Sequence, residues 1–322
     1  MRKILTFALF VQCVSPAFSG PASNLESSSK AVESTGLDPI WTAQTLGGGV
    51  KSNGEFTDAN FFFLYPWNNT IGEDGNMDGS MFFMEAYGLW AERGELGASL
   101  GLGFRRLFSN QSISEASTDD NPGLLGEGVY VGANAFIDYG NSSNSQDHWQ
   151  AGFGLELGSR YVEIRGNYYL PTTDDRVIRT NRFFEVYEEA LEGWDVELAL
   201  LVPVIDRYMD VQLIGGYSSY SGDRSRASDF EGWRAGVEAR PVPNLVLGAT
   251  WFENEQLYED NWLASISFEI SLDKLGNMIS GTSKPRRRHL AERMSKIVRR
   301  KNSALTYANN CDPPTVNCQI TD

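Results

Sequence analysis

The stretch Trp149-Gln150-Ala151-Gly152-Phe153-Gly154-Leu155-Glu156-Leu157-Gly158 alternates without a break. Trp149, Ala151, Phe153, Leu155 and Leu157 fall on one face of a strand. Gln150, Gly152, Gly154, Glu156 and Gly158 fall on the other. Alternation alone fits any antiparallel sheet with one wet face. Here the wet face is glycine, amide and charge, and the dry face is apolar throughout with a tryptophan at its end. That combination suits a strand with lipid outside, an aromatic residue at the membrane interface and a polar lumen inside.

The pattern recurs in both directions. Leu96, Ala98, Leu100, Leu102 and Phe104 alternate with Gly97, Ser99, Gly101, Gly103 and Arg105. Trp233, Ala235, Val237 and Ala239 alternate with Arg234, Gly236, Glu238 and Arg240, and Trp262, Ala264, Ile266, Phe268 and Ile270 with a face rich in Ser. Twelve such segments are expected, at 41–50, 57–65, 81–92, 94–108, 129–140, 148–159, 161–173, 186–203, 208–223, 230–242, 244–254 and 261–271. An even number fits a closed single-chain barrel. The fold class is therefore all-β: an antiparallel transmembrane barrel of twelve strands over 41–272, with a basic linker, short helix and tail over 273–322. From 148 onward short turns alternate with longer loops. Carried backward, that rhythm places the long 109–128 segment at the short-turn end, where it reads as an insertion.

Residues 1–19 carry the three parts of a secretory signal: Arg2-Lys3, the apolar run Ile4–Val14, and Ala17-Phe18-Ser19 before Gly20. Residues 20–40, rich in Ser, Asn and Glu, read as a flexible lead-in. The expected destination is the outer membrane of a Gram-negative-type cell.

Several stretches resemble the β-domain of inverse autotransporters, the intimin/invasin family. They are Gly101-Leu102-Gly103-Phe104-Arg105-Arg106, Gly132-Ala133-Asn134-Ala135-Phe136-Ile137-Asp138-Tyr139, His148–Glu156, Val162–Pro171, Tyr187-Glu188-Glu189-Ala190, Gly193-Trp194-Asp195-Val196-Glu197, Gly232–Pro241 and Asp260-Asn261-Trp262. The resemblance implies a twelve-stranded barrel whose C-terminal linker threads the pore and carries an adhesive passenger outward. About fifty residues follow the last expected strand, fewer than an Ig-like domain of about 100 residues needs. A translocator without its usual cargo in this chain is the expectation, with a porin-like open channel as the alternative. The partners implied are outer-membrane lipid, the barrel-assembly machinery and the chain's own linker; nucleic acid is not expected, and a passenger or surface ligand is left unassigned.

Enzyme chemistry is thinly represented. The chain has only two histidines, His148 and His289, and no nucleophile–base pair, P-loop, dinucleotide fingerprint or metal-spaced His/Cys cluster. No catalytic, cofactor or metal residue is assigned. The informative charges are those of inward parity: Glu156, Glu163, Arg165, Asp195, Glu197, Arg234, Glu238 and Arg240. Structural ion pairing explains each of them, and steering of a threaded linker or of ions is compatible with it.

The net charge of −15 hides an asymmetry. Residues 284–301, KPRRRHLAERMSKIVRRK, hold nine of the 27 Lys and Arg and one acid. Setting aside Arg2, Lys3, Asp312 and Asp322 as well leaves 16 basic and 39 acidic residues in 20–283, a net of −23. Leu290, Met294, Ile297 and Val298 recur at helical spacing within the basic segment. A helix plugging the acidic lumen is expected, with Arg287, Arg293, Lys296 and Arg300 as its cations and Glu156, Glu163 and Asp195 as the acids that Arg287, Arg293 and Arg300 face. Cys311 and Cys318 enclose a short polar turn and suit a small disulfide loop in an oxidising compartment.

If the leader is read correctly, mass spectrometry of the membrane-associated protein finds Gly20 at its N-terminus. Recovery from the cytosol with Met1 retained contradicts the reading.

Overall fold

The computed structural model describes residues 44–53, 57–92, 94–116, 123–180, 185–222, 230–242, 244–253, 262–272, 288–302 and 306–310. The leader, the lead-in, Arg287, Cys311 and Cys318 lie outside them.

Twelve strands close a barrel: β1 (Thr45–Ser52), β2 (Thr57–Asn69), β3 (Gly79–Ala91), β4 (Leu96–Phe108), β5 (Val129–Asn141), β6 (Asp147–Ser159), β7 (Val162–Pro171), β10 (Glu192–Leu201), β11 (Asp210–Ser221), β12 (Phe230–Val242), β13 (Leu245–Glu253) and β14 (Trp262–Ser271). Each pairs antiparallel with its neighbour, and β1 closes on β14, with Thr45 opposite Ser271. Closure leaves no free edge, which a sheet in hydrocarbon requires. Among the described residues no helix is long and apolar enough to cross a membrane.

Prolines explain the two register irregularities of the barrel. Pro66 lacks the ladder N–H, and the β2–β3 register shifts between Pro66 and Asn68. Pro241 lies in the corresponding shift between β12 and β13, between Ala239 and Val242. The expected segment 186–203 divides. Its first part belongs to a separate sheet, in which β9 (Glu185–Ala190) lies between β8 (Arg176–Thr180) and β15 (Thr306–Asn310). Leu191, fully buried, separates β9 from the barrel strand β10. Alternation runs almost through this break, so periodicity alone joined the two.

The outer face is apolar. Trp149, Phe153, Leu155 and Leu157 are exposed, while the alternate residues of β6 are buried inward. At one rim Tyr139 packs on Trp149 at 5.2 Å, and Tyr217 on Trp194 and Trp233 at 5.6 and 4.8 Å. At the other, Phe82 stacks on Trp67 and meets Phe104 at a tilt. These are the two aromatic belts of a membrane barrel.

Phe153 is 52% exposed at the centre of β6. Phe153→Arg is expected to cost about 2–4 kcal/mol in unfolding from a bilayer, as for cations placed near the midplane of a barrel's lipid face. Phe153→Leu is expected to be nearly neutral. Equal stability of the two variants would show that this face does not meet lipid.

Candidate functional site: the filled lumen

The chain enters β1 and leaves β14 at the same end of the barrel, called here the near end. Residues 288–302 then run back through the lumen, and β15 joins β9 beyond the far end. The contacts climb in sequence order. Near the base, the Leu290 amide donates to Glu127 Oε2 at 2.7 Å, and Arg293 Nη1 donates to the Arg160 carbonyl at 2.6 Å. Higher up, Arg105 Nη1 donates to the carbonyls of Met294 and Lys296, and the Val298 amide donates to Glu85 at 2.8 Å. Arg299 reaches Glu238 and Glu197. Arg300 makes two bonds to Asp138, at 2.6 and 2.5 Å, and the Lys301 amide donates to the Tyr169 hydroxyl at 2.9 Å.

This segment is not an eighteen-residue helix. Its described helical content is one 3₁₀ turn, Leu290–Arg293. The reason is visible in the bonds above. Backbone groups that a helix pairs internally are taken by wall side chains, including Glu127, Arg105, Glu85, Asn167 and Tyr169. The apolar spacing has another meaning. Leu290, Ala291, Met294 and Val298 join one buried cluster with Leu64, Met81, Phe83, Leu107, Tyr130 and Phe136 from the inner faces of β2 to β5. Ile297 is half-buried outside that cluster.

The opposite half of the wall carries the charges expected from inward parity. Glu156 binds Arg105 at 2.7 Å. Arg165 lies between Glu163 at 2.9 Å and Glu197 at 3.0 Å. Arg234 contacts Asp195 and Glu197, and Arg240 contacts Glu238 and Glu269. The expected partners of the linker cations are corrected. Arg300 binds Asp138, and Arg293 approaches Asp210 at 3.8 Å; neither contact involves Glu156, Glu163 or Asp195. Those three acids are engaged by wall partners: Arg105 for Glu156, Arg165 and Tyr130 for Glu163, and Asn167, Tyr169 and Arg234 for Asp195. Lys296 contributes its carbonyl to Arg105, and Glu238 and Glu163 are among the charges around its ammonium.

Asp138, Glu85 and Asp210 therefore carry linker contacts that the sequence reading did not assign. Strand parity gives Asp138 away, because it shares the inward face of β5 with Asn134 and Phe136. Arg300 sits in a built notch. Its guanidinium lies 4.3 Å from the centre of the Phe136 ring and 5.3 Å from that of Tyr169, over Gly152, where a Cβ would collide with it. His148 is buried at the far end with Nε2 3.3 Å from Glu188 of β9, so it faces a carboxylate. Among the described residues no cluster of His, Cys, Asp and Glu is placed to hold a metal ion.

A family model described as inverse autotransporter, beta-domain, matches residues 124–302, more than half of the 322. The chain belongs to the inverse autotransporter β-domain family. The match runs to residue 302 and so takes in the threaded segment as well as the later strands. This inverse autotransporter β-domain also resembles a solved membrane protein from a study named "Unveiling the Mechanism Behind the in-meso Crystallization of Membrane Proteins". The TM-score is 0.61 at 18% identity, over 83% of this chain and 99% of that one, a likeness of fold. The KdgM porin (TM-score 0.41, 6% identity) and the β-domain of the Bordetella autotransporter BrkA (0.36, 11%) each align with 71% of this chain and 99% of their own. Curated proteins give no match. The family is one of outer-membrane translocator and anchor domains, a non-enzymatic kind.

The Arg300–Asp138 pair is buried, at 1% and 0% side-chain exposure. Asp138→Asn keeps the shape and strands a buried cation, at an expected cost of about 3–5 kcal/mol. Urea unfolding in detergent micelles measures it. A change below about 1 kcal/mol would mean that Arg300 relocates to water or another acid.

Proposed function

We propose that this protein is an outer-membrane translocator and anchor that holds its own C-terminal segment through its pore. Residues 1–19 direct it across the inner membrane, and assembly machinery inserts the barrel with the near end in the periplasm. The tail beyond β15 then lies on the cell surface, where Cys311 and Cys318 meet oxidising conditions. The observation that carries the reading is the ordered ladder of contacts from Leu290 at the near end to Lys301 near the far end. A porin-like channel is the weaker reading, because the described lumen is occupied by Leu290, Met294, Val298, Arg299 and Arg300.

The test is an epitope placed after Asp322 in the full chain. Antibody is expected to bind it on intact cells without permeabilisation. In planar bilayers the same chain conducts little, and Arg299→Glu with Arg300→Glu, which sets acid against Glu238 and Asp138, raises conductance severalfold by repelling the segment. An epitope reached only from the periplasm, together with free conduction by the unaltered chain, would favour the porin.

A further inference from the structure

Charge fixes only in part where the threaded segment stops. Arg286-Arg287-Arg288 and Arg299-Arg300-Lys301 are runs of cations. An inward slip of two residues, roughly 6.6 Å along an extended chain, sets Lys301 in the place of Arg299 before Glu238, although it sets Asn302 before Asp138. A feature of definite shape at the near end would hold the register together with the Arg300–Asp138 pair and the β15–β9 pairing. The 109–128 connection between β4 and β5, which the sequence left as an unexplained insertion, begins and ends at the near end, as do the shorter connections 70–78, 160–161 and 202–209.

Its described parts face the segment. Residues 112–115 form a capping box: the Ser112 amide donates to Glu115, and the Glu115 amide donates to the Ser112 hydroxyl. The short turn that follows, α1 (Ile113–Ala116), puts Ile113 and Ala116 into the cluster that holds Leu290 and Ala291. The 70–78 turn braces it, because the Met77 amide donates to the Gln111 carbonyl and the Ile113 amide to the Gly75 carbonyl. Gly128 returns the chain to β5 at φ +96°, where a Cβ would strike the Phe108 carbonyl.

What seats there is a knob. His289 Nδ1 accepts from the Ala291 amide at 3.1 Å and caps the 3₁₀ turn. The proton is thereby assigned to Nε2, which meets Gln111 Oε1 at 2.9 Å. Glu127 takes the Leu290 amide and is itself fixed by Arg160, which reaches on to Asp206. Within 288–302, regular helical structure is confined to this turn, which a further turn bond from the Lys296 amide to the Arg293 carbonyl extends; 297–302 form no helix or strand. A compact turn seated at the mouth is the shape of a stop.

We propose that the described parts of the β4–β5 connection, 109–116 and 123–128, form a register stop, in which Gln111, Ile113, Ala116 and Glu127 receive the His289–Arg293 turn and set how far the following chain emerges. The proposal rests on the translocator reading. Gln111 and Glu127 are positioning residues; they act on the linker's register.

The test uses the full chain with Cys311→Ser and Cys318→Ser. Thr306 and Ala190 are register partners, so Thr306→Cys with Ala190→Cys reports the native position. Ala304→Cys with Ala190→Cys reports an outward slip of two residues. A short bismaleimide joins the native pair in the otherwise unaltered chain. With Gln111→Ala and Glu127→Ala the native cross-link is expected to fall by at least about fivefold, and the slipped one to appear. His289→Gly with Leu290→Ser removes the knob from the linker side, alters no wall residue and is expected to do the same. Native cross-linking at full yield in both variants overturns the stop and leaves threading intact. Absence of the native cross-link in the unaltered chain overturns threading itself, and the stop with it.

Discussion

Arg105 ties the wall of this barrel to what fills it. Nε and Nη2 of its guanidinium bind Glu156, Nη1 binds the carbonyls of Met294 and Lys296, and the group lies 4.7 Å from the centre of the Phe83 ring. A buried cation of this kind is tolerable only when its donors are used, since stripping a charge of water costs several kcal/mol. The same constraint governs the rest of the lumen. Glu85 spends an oxygen on the Val298 amide, Asn167 donates to the Arg299 carbonyl, and Asp138 is matched by Arg300. Wall and linker satisfy one another, so neither has the same stability alone.

The lumen is also divided by chemistry. From β2 to β5 its inner face is largely aliphatic and aromatic; from β6 to β14 it is rich in paired charge. Glycines make the first half possible. Phe136 lies opposite Gly101 and Phe83 opposite Gly103, each ring filling the space where its partner's Cβ would stand. An amphipathic segment fits such a lumen in one rotational setting, with Met294 and Val298 toward the rings and Arg299 toward Glu197 and Glu238. Apolar burial and ion pairing then select the same orientation, and agreement between levels of this kind marks a single native arrangement.

Much of this was legible beforehand, for a reason particular to barrels. A strand between lipid and lumen writes its two environments into alternate residues, so Phe153 and Gly152 declare their faces without any neighbour being known. The inward acids and bases were legible by the same parity. Two things misled. The nearly continuous alternation from Val186 to Leu201 concealed the break at Leu191. The spacing of Leu290, Met294 and Val298 suggested a helix, although it reports only which side of the segment meets apolar wall.

The sequence by itself thus determined the barrel, its apolar exterior, its charged interior and the basic segment that complements it. Only the tertiary structure decided that Arg300 meets Asp138, that Glu156 is already taken by Arg105, and that 109–116 and 123–128 lie beneath the linker. Periodicity is a local property, set by the solvent on either side of each residue. Pairing depends on closure, which brings residues such as Arg105 and Lys296, 191 positions apart, to a single depth in the lumen.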